Sequence, residues 1–286
     1  MKKFKYLLLV VIIILCGCEN KSSMEDIDIY TSAYPIEYVT NRIYGDHSTI
    51  TSIYPDNVDE DYVVSDKLLN DYSKTDLFIF NSNNENENKY VIKMLKNNKN
   101  LKIIDASSSL TYNYAEEELW LDPMNLLTIS NNIKKGFNEY VTIAYLQTEI
   151  NDNYISLKND LIKLDADYRE MANRANKKNI VVGNDVYLYL SKYGLNVISL
   201  EQTENFAKKN YYDAADLIQS GEIKVIYVKK GAKLDPNVTD LQTKYDVNVV
   251  ELDSLLTLTE DERKEKKDYL SLMYSNLELL KQQLYD

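Results

Sequence analysis

Two blocks of short β-branched runs alternate with helical patterns, and one uninterrupted amphipathic stretch separates the blocks. This arrangement constrains the chain more than any other feature, because strand–helix alternation is the mark of parallel α/β sheets. In the first block, strands are predicted at 27–32, 49–54, 77–81 and 101–106, with helices at 35–44, 66–73 and 85–96. In the second, strands are predicted at 180–183, 197–200, 223–228 and 247–252, with helices at 186–192, 212–219 and 239–244, and a closing helix over 259–284. Between them, Tyr154, Leu157, Leu161, Leu164, Tyr168 and Met171 recur at intervals of three and four residues. Such a stripe without Gly or Pro is one face of a long helix, whereas a flexible hinge would show Gly, Ser or Pro. A short coiled-coil seam between two chains would give the same stripe. The predicted fold is α/β: two lobes, each with a parallel four-stranded sheet, joined by one long rigid helix. Its divisions are an N-terminal lobe over 27–150, a linking helix over 151–176 and a C-terminal lobe over 177–286.

The N-terminus adds an address. Lys2, Lys3 and Lys5 precede nine unbroken apolar residues, 7–15, too few for the ~20 that a helix needs to span a bilayer. This reads as a signal peptide over 1–17. Leu15-Cys16-Gly17-Cys18 resembles the lipobox of bacterial lipoproteins, with Cys18 as the acylated residue and 18–26 as a polar tether. An ordinary secretory signal with incidental cysteines is the plainer alternative. The expected location is extracytoplasmic, anchored to the membrane through the lipid on Cys18.

Composition removes several function classes. The formal charge of −12 lacks the basic excess of a nucleic-acid binder. Two Cys and one His leave no four-residue Cys/His zinc site. The chain has no G-x-S-x-G, P-loop or H-E-x-x-H sequence, so it is not expected to be an enzyme. An exported, lipid-anchored, two-lobed α/β protein suggests instead a solute receptor with its ligand between the lobes.

Several segments then match one family in order. Residues 38–45 and 55–66 look like its first helix and first ligand loop, and Lys74-Thr75-Asp76-Leu77 with Asn81 looks like its "-ADL-" strand. Leu119-Trp120-Leu121-Asp122-Pro123 is similar to its "DPHxWLxP" loop. Asp185 to Tyr189 followed by Tyr193-Gly194-Leu195, and 268–277 near the C-terminus, resemble later family segments. The chain thus resembles the metal-binding solute-binding lipoproteins of zinc and manganese ABC importers. The resemblance implies capture of a divalent metal ion, Zn or Mn, and delivery to an ABC permease and its ATPase by a monomeric receptor. A scaffold that has lost its metal site and serves adhesion or non-metal binding is the alternative.

The resemblance also assigns ligand positions, and here the family's histidines are replaced. Glu60 or Asp61 falls at the first, Glu118 at the second, Asn184 at the third and Asp253 at the fourth. Each has a plain alternative: Glu60, Asp61 and Glu118 as solvated acids, Asn184 as a helix cap, Asp253 as a strand end. Zn²⁺ prefers imidazole and thiolate, whereas carboxylate and amide oxygens suit harder cations such as Mn²⁺ or Ca²⁺. His47 lies away from these positions and is expected in a solvent-facing turn; Trp120 is expected to pack beside the cleft.

If Cys18 carries the lipid, Cys18→Ala shifts the protein from the membrane to the soluble fraction or leaves it unprocessed. Fractionation and immunoblotting measure this; unchanged retention and processing contradict it.

Overall fold

Each block of strands closes into its own parallel sheet. A computed structural model describes residues 24–58, 62–203 and 207–286; the signal segment with Cys18, and Glu60 and Asp61, lie outside the described residues. The first lobe runs β1 (Ile27–Thr31), α1 (Tyr34–Tyr44), β2 (Ser48–Ser52), α2 (Asp66–Tyr72), β3 (Leu77–Phe80), α3 (Glu85–Asn97) and β4 (Lys102–Asp105). Its sheet has the order β2-β1-β3-β4 with every pair parallel. A short α4 (Glu118–Leu121), α5 (Pro123–Tyr140) and the long α6 (Ala144–Arg174) follow. The second lobe runs β5 (Asn179–Val182), a 3₁₀ stretch (Asp185–Tyr193), β6 (Asn196–Ser199), α7 (Lys208–Gln219), β7 (Val225–Lys229), α8 (Pro236–Tyr245) and β8 (Asn248–Leu252). Its order is β6-β5-β7-β8, again all parallel. Two helices, α9 (Glu260–Lys264) and α10 (Tyr269–Leu284), complete the chain. No helix among the described residues is long and apolar enough to cross a membrane.

Alternation along the strands sorts side chains between two layers. Leu77 and Ile79 face the interior core, while Phe78 and Phe80 face a separate outer cluster with Leu69, Tyr90 and Met94. In the second lobe Ile180 and Val182 point inward, and Val181 packs outward with Ile226, Val228 and Val238. The inner cluster is one continuous core across both lobes. It joins Ile29, Leu77 and Ile104 to Leu157, Leu161, Leu164 and Tyr168 of α6, then to Ile180, Tyr227 and Met273. The stripe of α6 is therefore consumed within the chain, and Tyr168 also donates to the Met273 carbonyl at 2.8 Å.

Several local outcomes differ from the sequence reading, among them the linking helix, which runs over Ala144–Arg174 and not 151–176. The helix expected over 186–192 is a 3₁₀ stretch, in which residues three apart fall on one edge. Tyr187, Leu190 and Tyr193 have that spacing and are all buried, and Gly194 ends the stretch at φ +84°. The closing helix is broken in two because two N-terminal caps compete: Thr259 with Glu262 starts α9, and Asp268 with Ser271 starts α10. His47 is half-buried against α6, its Nε2 3.0 Å from Glu149, and not solvent-facing. Met24, expected within the tether, is buried and its carbonyl accepts from Tyr44 Oη at 2.5 Å.

Leu161 lies fully buried in the inner cluster that α6 shares with both lobes. Leu161→Ala should cost about 2–5 kcal/mol, the range for such core truncations, in a single cooperative denaturant transition. A loss below about 1 kcal/mol, or separate unfolding of the two lobes, contradicts the shared core.

Candidate functional site

Both sheets point the C-terminal ends of their strands at the interlobe cleft, and each has a switch point there, between β1 and β3 and between β5 and β7. Such crevices receive ligands in open α/β sheets. Lobe-to-lobe contacts frame the cleft. Trp120 Nε1 donates to the Ser254 carbonyl at 2.8 Å, and Tyr269 Oη donates to the Trp120 carbonyl at 2.6 Å. Arg263 reaches from α9 to the Glu37 carboxylate with two bonds of 3.0 Å, and to Asp56 at 2.7 Å. Trp120 is thus a packing residue of the cleft wall, buried and with its ring N–H satisfied.

On the second-lobe side, the chain leaves β5 at Gly183, where a Cβ would stand 2.9 Å from Val228. That close approach brings Asn184 onto β7, and its Oδ1 accepts from the Lys229 backbone N–H at 2.8 Å. The side chain does not cap the 3₁₀ stretch that follows. Asp253, just past β8, accepts from the Leu255 N–H at 2.7 Å and from Lys230 Nζ at 3.2 Å. Burial pushes its carboxyl above the usual carboxylate range, against the pull of the Leu255 N–H and of Lys230. Lys230 also pairs with Glu262.

On the first-lobe side, three consecutive acids diverge. Glu118 turns away from the cleft and ties down the preceding loop, accepting from Asn113 N at 2.9 Å, Asn113 Nδ2 at 3.2 Å and Tyr114 N at 3.3 Å. Glu116 accepts from Asn81 Nδ2 at 2.7 Å and from Asn84 Nδ2 at 2.9 Å. Glu117 is the one that crosses the cleft, its Oε1 2.8 Å from Lys229 Nζ, with both side chains largely buried. Beside this pair lies a cavity of about 200 Å³, lined by Tyr54, Tyr62, Asn84, Glu87, Glu116, Glu117 and Trp120 on the first lobe and Leu256 on the second.

The structure therefore brings Asn184 and Asp253 to one edge of the second sheet, with Lys229 and Lys230 between them, and sets Glu117 opposite. Among the described residues, no three His, Cys, Asp or Glu side chains are grouped so as to hold a metal ion. Sequence reasoning passed over Glu117, Lys229 and Lys230. The signal was available in Val228-Lys229-Lys230-Gly231, two cations where a buried strand leaves its sheet.

This fold and cleft agree with the comparison of the whole chain. The model of the family described as zinc-uptake complex component A, periplasmic, matches residues 29–283. The chain belongs to that family. Among curated members, the zinc-binding lipoprotein AdcA of Streptococcus pneumoniae is 24% identical over 310 residues, covering 99% of this chain. The zinc-binding protein AdcA of Streptococcus pyogenes is 23% identical over 290 residues, covering 89% of the chain. The chain spans only part of these relatives, 61% and 55% of their lengths. The Zn(II)-bound ZnuA-like domain of S. pneumoniae AdcA superposes with a TM-score of 0.73 at 22% identity, covering 91% of this chain and all of that one. The metal-dependent lipoprotein YcdH of Bacillus subtilis gives 0.74 at 22% identity, with the same coverage. These structures share the two-sheet fold.

Behind the cleft wall, Glu87 accepts from the Asn81 N–H at 2.6 Å and from Tyr54 Oη at 3.2 Å. Burial, with the nearby charge of Glu116, pushes its carboxyl up to about 8. An acid raised in the folded state contributes stability that is complete below its unfolded value near 4.5 and lost as pH rises through about 8. Glu87→Gln should flatten the fall in thermal midpoint between pH 5 and 8 and raise the midpoint at pH 8. Calorimetric scans across that range check it; parallel pH profiles for the variant and the parent contradict it.

Proposed function

We propose that this chain is the extracytoplasmic solute-binding component of an ABC importer, capturing a divalent metal ion between its lobes and passing it to a permease and ATPase. The observation that carries the reading is the opposition of Glu117 and Asp253, carboxylates of different lobes at the mouth of two parallel sheets, in a chain matched by the family model over 29–283. A divalent cation between them would be neutralised by both, in place of the ammonium groups that meet them. The family description and the names of the relatives make zinc the first ion to test, and the oxygen-rich chemistry makes manganese the second.

The ligand set we propose draws on Glu60 or Asp61, Asn184 and Asp253, with Glu117 in the role that the family resemblance implies for Glu118. Glu118 can join it only by giving up its three bonds to the 113–114 loop. Asn184 would likewise offer the lone pair that the Lys229 N–H does not use. An acylated Cys18 would hold the receptor, a monomer, at the membrane surface beside its permease. The division into lobes at 27–150 and 177–286, with the linking helix between, fits this reading, since α6 is buried against both and leaves little freedom for hinge closure.

Metal analysis of the purified full chain, followed by calorimetric titration with Zn²⁺, Mn²⁺ and Ca²⁺, tests the proposal. Glu117→Gln and Asp253→Asn should each weaken binding at least tenfold, equivalent to about 1.4 kcal/mol. Absence of measurable affinity for any of the three ions at neutral pH removes the metal reading and leaves the scaffold of adhesion or non-metal binding in its place.

A further inference from the structure

The cleft already contains a cation. Lys229 closes β7, and its backbone N–H is fixed by Asn184 Oδ1 at 2.8 Å, so the root of the side chain is set by the second lobe. From there it crosses to the first lobe, where Nζ stands 2.8 Å from Glu117 Oε1, with the two side chains 13% and 9% exposed. The neighbouring Lys230 does the same within the second lobe, 3.2 Å from Asp253 and paired with Glu262. Each carboxylate that faces the cleft from the described residues 117 and 253 is therefore met by an ammonium from the end of one strand.

An ammonium and a divalent ion compete for one carboxylate in a largely buried site. Their like charges repel, and the metal needs that oxygen at ~2.0–2.2 Å, well inside the hydrogen-bonded separation. We propose that Lys229 is a built-in counter-cation of the cleft, which a captured metal ion must displace from Glu117, so that this residue sets the affinity for cargo. The inference rests on the metal-capture reading and adds to it the residue that limits binding. Lysine suits the role, because its compact charge rides on a flexible four-carbon stem that can swing aside, whereas a planar arginine would hold the carboxylate with two bonds. In the unloaded protein the pair also prevents a buried carboxylate from standing alone, a state that is costly when one partner of such a pair is removed.

Zinc and manganese chlorides titrated calorimetrically into the full chain and three variants provide the test. Lys229→Gln and Lys229→Met, which remove the charge at nearly constant length, should bind Zn²⁺ at least tenfold tighter than the parent. Their metal-free thermal midpoints should fall, because Glu117 loses its partner, and added metal should raise the midpoint more than in the parent. Lys229→Arg, which keeps the charge, should bind no tighter than the parent. A residue that merely pins the lobes together would lower the midpoint without any gain in affinity. Equal or weaker binding by a folded Gln or Met variant overturns the proposal, as does tighter binding by the Arg variant. If the parent binds metal and the neutral variants do so no better, the counter-cation role fails while metal capture stands. If only the neutral variants bind, the role stands and capture by the parent chain fails. If none binds, both fall.

Discussion

Everything at the cleft depends on one constraint, the shared apolar core that runs from the first sheet through α6 to the second sheet. Leu157, Leu161, Leu164 and Tyr168 have no exposed surface, and the residues around them come from both lobes. A helix buried along this much of its length cannot act as a loose hinge, because separating the lobes would expose the whole stripe to water. Burial at roughly 25 cal/mol per Å² makes that opening expensive compared with the few kcal/mol typical of a domain movement. The strand ends of the two sheets consequently meet at a nearly fixed distance, and the side chains placed on them either complement one another or clash.

Electrostatics then decide what the fixed cleft can accept. With the lobes held together, acids from both sides are drawn out of water, as the raised carboxyls of Asp253, Glu116 and Glu87 reflect; burial is the leading cause in each case. Charge of one sign cannot accumulate there unanswered. The protein answers with amide donors for Glu116, a neutralised acid at Glu87, and ammonium groups for Glu117 and Asp253. Farther out, Arg263 bridges Glu37 and Asp56 across the lobes, and Lys192 pairs with Asp122 and Asp165. Several of these ion pairs, Lys229–Glu117, Arg263–Glu37 and Lys192–Asp122 among them, also tie the two lobes to each other.

The family relationship gives this charge pattern its meaning. The chain matches the zinc-uptake component over residues 29–283, and its single histidine, His47, pairs with Glu149 of α6, while the acids and lysines described above lie at the cleft. Carboxylates held out of water carry negative charge at neutral pH where imidazoles would not, and the two lysines at the end of β7 meet that charge at Glu117 and Asp253.

How much of this could be read in the sequence follows from which interactions are local. The eight strands, the long stripe of 154–171 and the division into two parallel sheets were legible because hydrophobic periodicity and β-branched runs act over neighbouring residues, whereas the strand order within each sheet was not. The ends were less legible. Competing caps at Thr259 and Asp268 split one expected helix, and the three-residue spacing of buried Tyr187, Leu190 and Tyr193 tightened another. For the site, the sequence by itself determined that one histidine, His47, is all the imidazole the chain can offer. Only the tertiary structure decided that Glu117 and not Glu118 crosses the cleft, since the choice turns on one residue of rotation in a short helical turn and on the 113–114 loop that claims Glu118. It alone decided that Lys229 meets Glu117 from 112 residues away in the chain, because pairing between two lobes is a product of the shared core and leaves no local pattern to read.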